Sequence, residues 1–73
     1  MMVTTLNRAF TGQKLRRLRE ERKMTQQEVA DIVGVTSMAI SQYESGERSP
    51  KDSVKIALAQ HFETTVEDLF FTF

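Results

Sequence analysis

The chain has 73 residues, 40% hydrophobic and 27% charged, with one histidine and no cysteine. That length allows one domain whose core must be helical and small. The lack of cysteine excludes disulfides and thiolate metal sites and suits a reducing cytoplasm, and no apolar run is long enough to span a bilayer or to form the centre of a signal peptide.

Ten basic and ten acidic residues sum to zero, which taken alone argues against a nucleic-acid partner. The sum conceals a split. Residues 1–24 carry seven basic side chains and two acidic ones, leaving three basic and eight acidic over residues 25–73. A neutral protein gains little from counterion release, so affinity for a duplex should be modest per chain and should depend on two copies acting together.

Residues 1–10 have no clear period and are expected to form a loose arm, with Phe10 packing back on the first helix. Residues 11–73 form the domain. Its first helix should take Thr11 as N-cap and run to about Lys23, with Leu15 and Leu18 inward and the stem of Arg22 beside them. The remaining basic residues make a solvated face. Thr25, followed three residues later by Glu28, is a capping box that opens a second helix. Val29, Ala30 and Val33 form its apolar stripe, Ile32 points off that stripe, and Gly34 ends it where a left-handed residue is cheapest. A third helix runs from Ser37 to about Ser45 with Thr36 as N-cap. Ile40 and Tyr43, three apart, face inward; Ser37, Met38, Ser41, Gln42 and Ser45 face out. Gly46 closes this helix, and Ser49 as N-cap with Pro50 at the first position opens a fourth, reaching about Phe62. Val54, Leu58 and Phe62 are its inner row, with Ile56 and Ala59 alongside. Thr65 and Asp68 then cap a short fifth helix whose Val66, Leu69 and Phe70 can cover the open end of the bundle. The final Phe70, Phe71, Thr72 and Phe73 are too apolar for a free tail, and either fold back as a plug or pair with a second copy.

Two short helices meeting at Gly34, with the second presented outward, are a helix-turn-helix in outline. The ordered set Thr25-Gln26, Val29-Ala30, Val33-Gly34-Val35, Ile40-Ser41 and Tyr43-Glu44-Ser45-Gly46, followed by Arg48 and Pro50, resembles the phage repressor and Cro family, the Xre-type regulators. The likeness covers about residues 12–70. It implies an all-α, five-helix repressor-like domain that binds double-stranded DNA as a homodimer and regulates transcription. It also implies that Arg19 pairs with Glu44 to clamp helix 1 to helix 3, and that Gln26 binds a phosphate while bracing a recognition-helix side chain. Ser37, Met38 and Gln42 fall at base-reading positions, with Ser41 serving a base or a phosphate. Gln42 can bond adenine N6 and N7, and Met38 can pack on a thymine methyl. Arg48 and Lys51, beside a helix start, are assigned to phosphates, as are Thr36 and the Tyr43 hydroxyl. Dimerisation is expected through Val66, Leu69, Phe70, Phe71 and Phe73. Helix 4 departs from the family pattern at Asp52 and Lys55, where aliphatic residues are usual, so Val54 and Ile56 are expected to take over part of the packing.

No catalytic residue, metal or cofactor is expected. His61 has no ligand cluster, no glycine loop cradles a phosphate, and Glu20-Glu21 and Glu67-Asp68 are helix neighbours that cannot face one substrate together. No small-molecule substrate or membrane partner is implied. The alternative is the same fold used as an antitoxin or protein-interaction adaptor, docking through the C-terminal aromatics.

Overall fold

Caps and apolar spacing divide the chain into short helices. The structure is a computed structural model that describes residues 8–71 and the side chains of residues 12–70. It comprises α1 (Arg8–Glu21), α2 (Gln26–Val33), α3 (Ser37–Ser45) and α4 (Asp52–His61), then a π-helical turn, Glu67–Phe71. The described residues contain no strand, and the all-α, five-segment architecture is the one expected.

The α2 and α3 starts follow the sequence closely. Thr25 Oγ1 accepts from the Glu28 N–H at 3.0 Å while Glu28 Oε1 accepts from the Thr25 N–H at 2.8 Å, the complete capping box. Thr36 Oγ1 accepts from the Ala39 N–H at 3.1 Å. Gly34, at φ 79°, ends α2 in the left-handed region, and the Val35 N–H reaches back to the Ala30 carbonyl. The same closure ends two other helices without glycine. Lys23 follows α1 and Glu63 follows α4, both at φ 56°, with Met24 N–H on the Arg19 carbonyl and Thr64 N–H on the Ala59 carbonyl.

Two boundaries differ from expectation. α1 starts at Arg8 rather than being capped by Thr11, since Arg8 and Ala9 favour helix and no proline stops it there. The arm residues 1–7 and the Phe10 side chain lie outside the described residues. α4 starts two residues later than Ser49 and Pro50 imply. Pro50 is buried in the preceding loop, Lys51 is still extended at ψ 163°, and the first turn begins with Asp52, whose carboxylate suits the positive helix end.

The core joins Leu15 of α1, Val29 and Ala30 of α2, and Ile40 and Tyr43 of α3 to Leu58 and Phe62 of α4. Burial of such aliphatic and aromatic side chains stabilises by about 1.5–3 kcal/mol each. Ile56 does not share this packing. It is 50% exposed because Val54, Leu58 and Phe62 claim the inner row, and a residue two positions from both Val54 and Leu58 is turned to the far side of the helix. Leu69 and Phe70, expected both to cover the open end of the bundle and to lie at a dimer interface, are 1% and 4% exposed and belong to the protomer core. So small a bundle leaves its open end uncovered without them. The π turn that carries them is preceded by Thr65, whose Oγ1 accepts from the Asp68 N–H, and is tied to α1 where Lys14 Nζ donates to the Asp68 carbonyl.

Gly12 fixes how α1 crosses α3. A Cβ there would stand 2.3 Å from the Glu44 carbonyl oxygen and 2.5 Å from that of Tyr43, so the two backbones are in direct contact. Arg22 joins α1 to the end of α4 by donating to the carbonyls of His61 and Phe62, its guanidinium 5.3 Å from the Phe62 ring centre.

Candidate nucleic-acid interface

α3 is built with two unlike faces. Ala39, Ile40, Tyr43 and Glu44 are buried, and Ser41, Ser45 and Met38 are exposed, with Ser37 and Gln42 half-buried at the margin. Met38 is 68% exposed, a large apolar side chain standing in solvent on a polar ridge. Polar residues hold a helix face in water without help; a thioether there gains nothing from water and is available for an apolar contact.

The ridge is held from behind by one carboxylate. Arg19 Nε donates to Glu44 Oε2 at 2.6 Å and Arg19 Nη2 to Glu44 Oε1 at 3.1 Å, a bidentate pair. The side chains are only 12% and 5% exposed. Arg19 Nη1 also donates to the Met24 carbonyl at 2.8 Å, and Gln26 Nε2 donates to Glu44 Oε1 at 3.0 Å. The hydrogen bond that Arg19 donates to Glu44 is the main cause of an Arg19 pKa raised above its ordinary value, with desolvation opposing it and the Glu44 and Glu20 charges assisting. A raised folded-state pKa gives stability that is complete below the unfolded value and is lost only in strong alkali, so the Arg19 end of the clamp is charged throughout the neutral range.

The resemblance therefore anticipated the Arg19–Glu44 pair and the bracing of an α3 side chain by Gln26. The structure brings the residues assigned to bases onto one face: Ser37 and Met38 in the first turn of α3, Ser41 and Gln42 one turn on. Arg48 is exposed and folds back on this face, its N–H donating to the Gln42 carbonyl at 3.2 Å. Thr36 is exposed at the N-cap with its Oγ1 already accepting from Ala39, which leaves its hydroxyl proton as a donor. Lys51 is exposed at the N-cap of α4 and makes no side-chain cap bond. Tyr43 packs in the core, so only its hydroxyl could serve a phosphate. Val66 is half-buried, while the side chains of Phe71 and Phe73 lie outside the described residues.

Three supporting contacts were not anticipated. Gly12 carried a usable signal, a glycine inside a helical pattern. The carbonyl caps made by Arg22 and Lys14 did not, because any surface cation could make them. His61 Nε2 lies 3.2 Å from Met24 Sδ, and no group of three potential metal ligands occurs among the described residues.

A family model described as helix-turn-helix matches residues 15–69. The HTH-type transcriptional repressor RghR of Bacillus subtilis is 39% identical over 61 residues, 82% of this chain and 45% of that protein; the chain spans less than half the length of the curated relatives it matches. Among solved structures, the P22 c2 repressor in complex with a synthetic operator superposes with a TM-score of 0.82 at 29% identity, covering 93% of this chain and 97% of that one. The restriction-modification controller protein C.AhdI from Aeromonas hydrophila gives 0.78 at 26%, covering 85% and 94%. The order of caps, the two-faced α3 and the matched span together place the chain in the Xre-type, repressor-like helix-turn-helix family of DNA-binding transcriptional regulators.

Proposed function

We propose that the chain is a cytoplasmic, sequence-specific repressor or regulator that binds a two-fold operator as a homodimer, with α3 in the major groove. The observation that carries this reading is the ridge of Ser37, Met38, Ser41 and Gln42, turned outward while the opposite face of the same helix is locked by Glu44. An α-helix fits the major groove of B-DNA, where each base pair offers a distinct set of donors, acceptors and methyl groups. Gln42 supplies both a donor and an acceptor to a base edge, Met38 meets a thymine methyl, and the two serines serve bases or nearby phosphates. Gln26, Thr36, Tyr43, Arg48 and Lys51 contact the backbone and set register.

Two copies are needed because one short helix reads only a few base pairs and the chain carries no net charge to add non-specific affinity. Half-sites about 34 Å apart would match the protein two-fold. With Leu69 and Phe70 inside the protomer, Val66, Phe71 and Phe73 remain for the pairing surface. Membership of the helix-turn-helix family favours binding over catalysis. Selection of bound duplexes from a random pool, with sedimentation of the protein alone and on the selected duplex, tests the proposal. An enriched two-fold sequence bound by two chains is expected; enrichment of nothing would refute it.

One observation favours an interaction adaptor as second reading. Ile56, Val66, Asp52 and Lys55 line an open groove beside the exposed face of α4. A shift in size-exclusion mass with duplex supports the regulator, and failure to bind any duplex favours the adaptor.

A further inference from the structure

We propose that Arg48 is a positioning residue for Gln42: it fixes which end of the Gln42 amide is offered to a base and so sets base preference, beyond any phosphate contact. The inference rests on α3 being the reading helix.

The loop after α3 closes onto Gln42. Ser45 Oγ donates to the Gln42 carbonyl at 3.2 Å, and the Arg48 N–H reaches the same carbonyl at 3.2 Å. Ser45 Oγ also accepts from the Glu47 N–H at 3.4 Å, so the chain between Ser45 and Arg48 turns back tightly. This return brings Arg48 Nη1 to 3.5 Å from Gln42 Oε1.

A guanidinium has donors only, whereas a glutamine amide has an acceptor end and a donor end. Rotation of the amide by half a turn would set its NH2 against the guanidinium, donor against donor. Arg48 therefore selects the rotamer with Oε1 toward the loop and Nε2 toward the groove. The outward NH2 seeks an acceptor, which the purine N7 supplies in the major groove. The second lone pair of Oε1 is left for the N6 amino group that distinguishes adenine from guanine. Without Arg48 both amide orientations become accessible, and the side chain can satisfy several base edges about equally.

The test is selection from a random duplex pool, followed by competition titrations, on the full chain and on Arg48→Ala, Gln42→Ala, the double variant, and Lys51→Ala as a control for loss of one positive charge. Circular dichroism of each confirms that these surface changes leave the fold intact. For the wild-type chain a preference of about tenfold is expected at the base pair read by Gln42. Arg48→Ala should bring it close to unity at that base pair alone, Gln42→Ala should do the same, and the double variant should be no flatter than Gln42→Ala. Lys51→Ala should weaken binding to all sequences and leave the preference intact. If Arg48→Ala behaves like Lys51→Ala while Gln42→Ala flattens the preference, Arg48 is a phosphate contact only and the inference is overturned with the reading helix intact. If the wild-type chain enriches no sequence, the reading helix itself fails and takes the inference with it.

Discussion

Gly12→Ala isolates the crossing that sets α3 against α1. The added Cβ would lie 2.3 Å and 2.5 Å from two backbone carbonyl oxygens, where ordinary contact starts at 3.4 Å. Neither oxygen can rotate away, because the Tyr43 and Glu44 carbonyls belong to the last turn of α3. Relief needs α1 and α3 to separate by about 1 Å, in a core that tolerates overpacking at a cost of about 1–3 kcal/mol. Alanine recovers about 1 kcal/mol in helix propensity. Separation also stretches the bidentate Arg19–Glu44 pair, whose members are on the same two helices, so the upper part of the range applies and the net loss should be about 2 kcal/mol. For a domain of this size that lowers Tm by roughly 8–16 °C. Urea denaturation followed by circular dichroism gives the free energy directly, and calorimetry gives Tm. Unchanged or increased stability would mean that α1 can shift freely over α3, and the close crossing would not govern the placement of the ridge.

Arg19→Ala should destabilise by about 3 kcal/mol, because it strips the bidentate partner from the buried Glu44 and leaves it, among the described residues, the Gln26 amide. A paired Arg19→Met, Glu44→Leu variant should recover much of that loss in the same denaturation assay. Thr25→Ala removes one half of the α2 capping box and should cost about 1 kcal/mol, read as a lower urea midpoint with an unchanged slope. Glu63→Gly should gain up to about 1 kcal/mol, since Glu63 holds φ 56° and its contact with Arg22 is a long, exposed 3.7 Å pair. A fall in Tm for that variant would show that the Arg22 pair outweighs the backbone term.

How much of this was legible in the sequence follows from how local each determinant is. Thr25 with Glu28, Thr36, and glycines at 34 and 46 act within a few residues of the helix ends they set, and the α2 and α3 boundaries fall where those residues place them. Lys23 and Glu63 close α1 and α4 in the same left-handed conformation, yet nothing in their chemistry announces it, because their neighbours impose it. The late start of α4 is similar: burial of Pro50 is a tertiary event, and it overrides a favourable Ser49-Pro50 signal. The apolar C-terminus admits two covers, the open end of its own bundle and a second copy, and Leu69 and Phe70 take the first. Apolar spacing alone allows both covers; burial of these two side chains in the protomer core decides between them.

The division of α3 into a locked face and a free face bears on the duplex-reading role proposed for it. Glu44 receives three hydrogen bonds from two other elements, Gly12 packs on the backbone of the same turn, and Ile40 is fully buried. Orientation is thus settled by buried and half-buried residues behind the ridge, and the ridge residues carry little of the fold's free energy. Replacement of Ser41 or Met38 by other polar or small side chains should leave the urea midpoint within about 0.5 kcal/mol of the parent, as for surface positions generally, while altering which duplexes are selected. Loss of more than about 2 kcal/mol at Met38, whose truncation removes no buried contact, would place it among the packing residues. The ridge would then be part of the core's support, and its freedom to vary, on which the division of labour rests, would be gone.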